Sequence, residues 1–252
     1  MVSRRVGAAG RLVVLLAAAV WLSGCPGPRT TNPEPSGRAE PSPSGLALTV
    51  GEFATTSYRF KVTANEGVYS GGIDPTRDLL DTTITISSRG ASLRIDTIGV
   101  AGDYYARITG APLPGVDGTW YRVDTSRLRS PGALGISALK DPTGVRALVA
   151  ATQAVQRTSD GAYRGTVDLT KVVRWGPVNT GQLGAAARAV PFDATVDAAG
   201  RLTSIAVAIP ATASVRANTV TATYSDFGVE LAVSRPVAAE PLPDSLYPLL
   251  GA

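Results

Sequence analysis

Histidine is absent from the 252 residues, and cysteine and methionine occur once each. Without histidine there is no Ser-His-Asp or Cys-His catalysis, and the commonest general base and zinc ligand are both missing. Lysine is confined to Lys61, Lys140 and Lys171. No Gly-x-Ser-x-Gly elbow, P-loop or Gly-x-Gly-x-x-Gly turn after a strand is present. Paired carboxylates remain as the only serious enzymatic option, beside a Ser–Lys dyad. Asp78 with Asp81, and Asp103 with Asp117, are the pairs to consider. Both sets sit among Gly, Pro and Thr and read as solvated turn carboxylates, so the expectation is a protein that is not an enzyme and holds no cofactor and no metal.

A long apolar run is also missing. Leu12 to Leu22 is shorter than the roughly 20 residues that a membrane-spanning helix needs. It follows Arg4, Arg5 and Arg11 and ends in Ser23-Gly24-Cys25. A basic segment, a short apolar core and small residues describe a secretory signal over residues 1–24. Ser3-Arg4-Arg5 raises twin-arginine export, but Gly7 and Ala8 stand where that signal carries bulkier residues.

Leu22-Ser23-Gly24-Cys25 resembles the lipobox of bacterial lipoproteins. The resemblance implies that the Cys25 thiol receives a diacylglyceryl group and that cleavage makes Cys25 the first residue. Two acyl chains suffice for stable anchoring, at about 0.8 kcal/mol per buried CH₂. The expected location is the extracytoplasmic side of the cell membrane, with the membrane itself as a partner. With Cys25 used in this way the rest of the chain has no disulfide and no cysteine metal ligand.

Charge carries little information. The chain has 24 basic and 20 acidic residues, net +4. Setting aside Arg4, Arg5 and Arg11 leaves 21 basic against 20 acidic. No basic patch or stripe is visible, so no nucleic-acid partner is expected.

Residues 26–45 contain six prolines, three glycines and no bulky apolar side chain. Such a segment reads as an extended tether, and with Cys25 it makes up residues 25–45. From residue 46 to residue 252 the composition is that of one domain, about 207 residues long and large enough for an apolar core. Leu46 to Ala54 reads as a short helix or irregular lead-in.

Two-residue alternation then sets in, the mark of strands with one apolar face. It runs through Tyr58, Phe60 and Val62, then Ile84 and Ile86, then Leu93 and Ile95 after a turn at Arg89-Gly90. Residues 103–109 and 119–123 read as further strands. Asp103 and Arg107, four apart on one face, are expected to make solvent-side or cross-strand pairs. Trp120 and Tyr121 read as covering the end of a core. The second half repeats the pattern at Val167 and Leu169, at Val190 to Val196, at Thr203 to Ile209 and at Val220 to Tyr224, with a hairpin turn at Asp197 to Gly200. Between the halves, residues 144–157 place Val145, Leu148, Val149, Thr152 and Val155 on one helical stripe, with a start at Asp141-Pro142-Thr143. A shorter helical piece is expected near residues 181–188. The fold class expected is α+β: a mostly meandering antiparallel sheet with a few helices on its apolar face.

Several stretches carry a resemblance to a known family. They are Ser57-Tyr58-Arg59-Phe60, Asp103 to Arg107, Gly118-Thr119-Trp120-Tyr121, Tyr163 to Asp168, Val190-Pro191-Phe192, Asp197 to Leu202 and Tyr224 to Gly228. With the lipobox and the tether, they make the chain similar to the actinobacterial lipoproteins of the LppX/LprAFG type, whose fold is LolA/LolB-like. The resemblance implies a curved sheet, a half-open β-barrel, with helices covering its concave face. It also implies a lipid or glycolipid cargo in an apolar cavity between sheet and helices. Phe60, Val62, Ile84, Ile86, Leu93, Ile95, Val207 and Val220 are the residues expected to line that cavity, or else to pack as plain core. The competing expectation is a non-catalytic surface lipoprotein with a filled core that meets an envelope protein or cell-wall partner through its outer face.

Overall fold

Alternating apolar side chains and β-branched residues make extended chain the local preference through most of the sequence. The computed structural model describes residues 45–65, 67–88, 91–110, 118–128, 141–172, 175, 180–213 and 215–250. The signal expected over residues 1–24, Cys25, the tether expected up to residue 45 (save Gly45), the turn expected at Arg89-Gly90 and Asp117 lie outside the described residues.

A single turn of helix, α1 (Gly45–Leu48), and a 3-10 turn (Gly51–Ala54) lead in, as the sequence predicts. Six strands follow: β1 (Tyr58–Ala64), β2 (Gly67–Asp74), β3 (Leu79–Ser88), β4 (Ala91–Val100), β5 (Asp103–Thr109) and β6 (Trp120–Val123). Then come α2 (Val145–Ala150), β7 (Thr152–Ser159), β8 (Ala162–Val167), a 3-10 turn (Leu169–Lys171) and a 3-10 run (Thr180–Ala189). The chain continues through β9 (Val190–Val196), β10 (Leu202–Ile209), β11 (Asn218–Ser225), the two-residue β12 (Glu240–Pro241) and a 3-10 segment (Asp244–Leu250).

Among the described residues the strands form one twelve-stranded sheet in the order β12-β6-β5-β4-β3-β2-β1-β11-β10-β9-β8-β7. It is open, and every pairing is antiparallel except that of β12 with β6. Two meanders, β1 to β6 and β7 to β11, meet at a seam where Phe60 faces Tyr224 and Val62 faces Ala222. The sheet-rich chain with its few short helices is an α+β protein.

The pairings put one continuous set of side chains on the same side of the sheet. Tyr69 faces Ile84 and Ile84 faces Ile95, while Val207 faces Val220 and also Phe192. This apolar face shares a single core cluster with Leu46, Phe53, Leu148, Val149, Trp175, Leu183 and Leu246 from the helical segments. The Phe53 ring lies edge-on to Tyr58 at 4.7 Å and to Tyr224 at 4.8 Å.

Three local expectations are corrected. The helix expected over residues 144–157 ends at Ala150, and residues 152–157 belong to β7. Val145, Leu148 and Val149 are the buried stripe of α2; Val155 continues the helical spacing by coincidence, on a strand that is mostly exposed. The strand expected around Val167 and Leu169 lies earlier, at Ala162–Val167, with Leu169 in a turn whose cap is Asp168 Oδ1 accepting from Thr170 N at 3.1 Å. Trp120 does not cover the core. It stands half-buried on the other side of the sheet, with the Arg107 guanidinium 4.8 Å from its ring, while its neighbour Tyr121 enters the core.

The chain after β11 runs along one rim of the sheet as a strap. Ser57 Oγ donates to Val229 O at 2.7 Å. Arg77 donates to Asp74 (2.7 Å), Glu230 (2.8 Å) and Leu231 O (3.0 Å). Arg235 reaches Asp103 at 2.9 Å, and Leu242 N donates to Arg122 O at 3.0 Å.

Candidate functional site

The apolar face holds all eight residues expected to line a cavity. Phe60, Val62, Ile95, Val207 and Val220 are buried in the core. Ile84 and Leu93 are half-buried against it. Ile86, paired with Leu93 at the far end of β3, is 39% exposed, so the apolar face reaches solvent at that rim.

Side-chain bulk is uneven across this face. One cross-strand row runs Phe60, Gly71, Thr82, Thr97, Ala106 and Tyr121. Four small residues therefore lie between two aromatic ones. Gly71 is required by close approach: a Cβ there would fall on Asp81 O and lie 2.7 Å from Thr82 Cγ2. Gly165, opposite Phe192 in the other meander, is similar, with Gln153 O at 2.8 Å from such a Cβ.

Several polar atoms are buried against this face. Tyr58 Oη, Tyr69 Oη, Tyr224 Oη, Thr143 Oγ1, Trp175 Nε1 and Asp141 Oδ1 are buried without a hydrogen-bond partner among the described residues. Tyr58, Tyr224, Thr143 and Trp175 are each at most 2% exposed. The rings of Tyr58 and Tyr224 are 6.2 Å apart. Against the larger effect of burial, weak hydrogen bonding from the Thr143 hydroxyl lowers both phenols, and that from Trp175 Nε1 lowers Tyr224, though in a loose geometry. Burial pushes both phenols above the ordinary tyrosine range, and the Asp141 carboxylate adds to the effect. Asp141 itself is raised by burial, against the backbone N–H groups of Ala147 and Arg146 that its other oxygen accepts at 3.1 and 3.0 Å. Those two bonds bear out the helix start expected at Asp141.

Of the carboxylates weighed for catalysis, Asp103 accepts from Arg122 and Arg235, both at 2.9 Å. The Arg122 hydrogen bond, followed by that of Arg235, holds its carboxyl below the usual range. Asp103 is thus a structural anion on the outer face, as its strand position suggests. Arg107 pairs instead with Asp96 at 3.0 Å. Asp78 lies in the β2–β3 turn with φ +55°, and Asp81 stands on β3.

A separate cleft of about 670 Å³ lies at the strapped rim, lined by Asp103, Arg122, Asp124, Arg127, Leu242 and Tyr247. Its cations are already matched: Arg122 with Asp103 and Arg127 with Asp244, both at 2.9 Å. Arg127 also stacks on Tyr247, 3.8 Å from the ring centre.

Sequence reasoning missed the phenol cluster. Tyr58, Thr143, Trp175 and Tyr224 are scattered along the chain, and only the β1–β11 seam and the turn before α2 bring them together. No family model matches the chain, and no curated protein does.

Proposed function

We propose that the protein is a lipid-anchored, non-catalytic carrier of an amphiphile at the extracytoplasmic face of the cell membrane. In this reading Cys25 bears the diacylglyceryl anchor and the apolar face of the sheet takes the acyl chains of a lipid or glycolipid. The chain is then a lipoprotein of the LppX/LprAFG type. Its sheet curves as a half-open β-barrel, with α2 and the 3-10 segments on the concave side.

One observation carries this reading: the apolar face runs through both meanders and continues into solvent at Ile86 rather than closing beneath its cover. The row of small residues from Gly71 to Ala106 supports it by leaving room between Phe60 and Tyr121. Gly71 and Gly165 support the curvature, because a Cβ meets neighbouring backbone where a sheet folds sharply towards that face.

The test is lipid mass spectrometry on protein lacking residues 1–25, purified gently beside a mock purification. A defined lipid at near-equal stoichiometry is the expected result. An empty domain overturns the carrier reading. It transfers the function to the outer surface, where the rim cleft favours the reading as an interaction module for an envelope protein or cell-wall partner.

A further inference from the structure

The cleft of about 670 Å³ at the strapped rim is of the size that small ligands occupy, and β6 and the strap supply its walls. The charges in and beside it are balanced in number but not in place. Asp103 accepts from both Arg122 and Arg235 at 2.9 Å, so two guanidinium groups share one carboxylate and a positive charge is left over. Arg127 and Asp244 balance each other at 2.9 Å. Asp124 is the counterpart of the excess. Its Oδ1 accepts from Ser126 N at 3.0 Å and from Ser126 Oγ at 2.6 Å, and it forms no ion pair among the described residues.

The spacing of the two unmatched charges is set by the backbone. Asp124 follows the last residue of β6 with φ −80° and ψ 102°, so it continues the extended chain that carries Arg122. Two residues of strand rise by about 7 Å and bring their side chains to the same side. Both side chains are exposed, Arg122 by 66%. Leu242 N donates to Arg122 O at 3.0 Å and Asp124 N to the Tyr247 hydroxyl at 3.1 Å, so the strap holds the backbone beneath them.

The geometry points to a binding site for a dipeptide with free ends, its carboxylate on Arg122 and its ammonium on Asp124. It stands apart from the carrier reading, since none of the residues expected to line the apolar cavity takes part.

Charge and length decide the class of guest. A ligand of either net charge leaves Arg122 or Asp124 unmatched, whereas a zwitterion satisfies both. A free amino acid is too short, because a single carbon separates its charged groups. The ends of an extended dipeptide lie about 7 Å apart, the rise of two residues. The Arg122 fork keeps N–H groups that Asp103 does not use, which suit a carboxylate in bidentate fashion. Asp124 Oδ2 is an acceptor for an ammonium group while Oδ1 stays with Ser126.

The experiment titrates the full chain in mild detergent with dialanine and follows backbone amide resonances. A saturable shift at Arg122, Asp124 and Arg127 is expected. N-acetyl-dialanine and dialanine amide, each blocked at one end, are expected to bind about ten-fold more weakly. So is phosphoethanolamine, a shorter zwitterion of the kind that a lipid head group carries. Asp124→Asn retains a side-chain oxygen for the Ser126 cap. It is expected to weaken dialanine about ten-fold and to leave the acetylated probe unchanged. Arg122→Gln, with Arg235 still on Asp103, is expected to weaken dialanine similarly and to leave the amide probe unchanged. Thermal midpoints of both variants should stay at the parent value, which separates lost binding from lost fold. The absence of a saturable shift overturns the inference. Equal binding of free and blocked dialanine does so too, as does a variant that loses all probes alike. Tighter binding of phosphoethanolamine than of dialanine overturns the peptide assignment in favour of a lipid head group. Each of these outcomes leaves the carrier reading to its own test by lipid mass spectrometry.

Discussion

Phe60 of β1 stands directly opposite Tyr224 of β11, and its ring meets Tyr69 of β2 edge-on at 4.7 Å. The pairing with Tyr224 joins the two meanders. Replacing Phe60 by Ala removes a buried ring at the seam and is expected to destabilise the protein by about 3–5 kcal/mol. A denaturant midpoint measured at constant slope checks it; a loss below about 1 kcal/mol would show that the seam closes without this side chain.

The buried carboxylate Asp96, on the opposite side of the sheet, should make stability depend on acidity. Burial alone would raise its carboxyl, but hydrogen bonds from Arg94, Thr83 and Arg107 bring it below the usual range. A lowered folded value means that its contribution is present above the unfolded value of about 3.9 and is lost as pH falls through the folded one. Asp96→Asn is expected to cost about 1–2 kcal/mol near neutrality, a figure kept small because both arginines remain half-exposed. The gap between variant and parent should narrow below about pH 4. A gap independent of pH would refute this account.

Gly71→Ala is expected to lower the folded yield sharply, because the added carbon meets the backbone of β3 rather than a side-chain end that could move. Gly51→Ala is the matched control, with no atom within 4 Å of the new carbon. It should change stability by no more than about 0.5 kcal/mol. Thermal melts of both variants decide the matter, and equal melting points would contradict the close approach.

Arg77 ties the strap to the sheet through Asp74, Glu230 and Leu231 O. Arg77→Ala is expected to leave the core intact, to lower stability only slightly and to speed proteolytic cleavage between residues 229 and 241. Unchanged cleavage in that interval would show that Ser57 and Arg235 hold the strap without it.

Strands with one apolar face were legible in the sequence. Tyr58 to Val62, Val190 to Val196 and Val220 to Tyr224 alternate cleanly, as do Ile205, Val207 and Ile209, and these side chains lie on the side of the sheet that their alternation indicates; Thr203, read on the same face, does not, because a bulge between Leu202 and Ser204 turns Leu202 into the core instead. β2 was not legible, because Gly67, Ser70, Gly71 and Gly72 take up the positions where a period would be read. β7 was misread for a different reason. As an edge strand exposed on both sides, it has no buried period of its own, and Val155 fell by chance in step with the helix before it. The cavity residues were legible as a face, since alternation reports a face. The phenol cluster was not, because nothing in the spacing of Tyr58, Thr143, Trp175 and Tyr224 indicates that a seam and a turn will bring them together.

The seam also governs the order in which the chain can fold. Thr223 Oγ1 reaches back to Lys61 O across 162 residues of sequence, and Ser57 to Val229 across 172. β1 is made early, but its partner on that side arrives only with β11. Until then the first meander keeps its β1 border unpaired and open to association with other chains. Completion by such distant contacts is slow compared with local hairpin closure. A chain built in this way is most open to association with others just before β11 is complete.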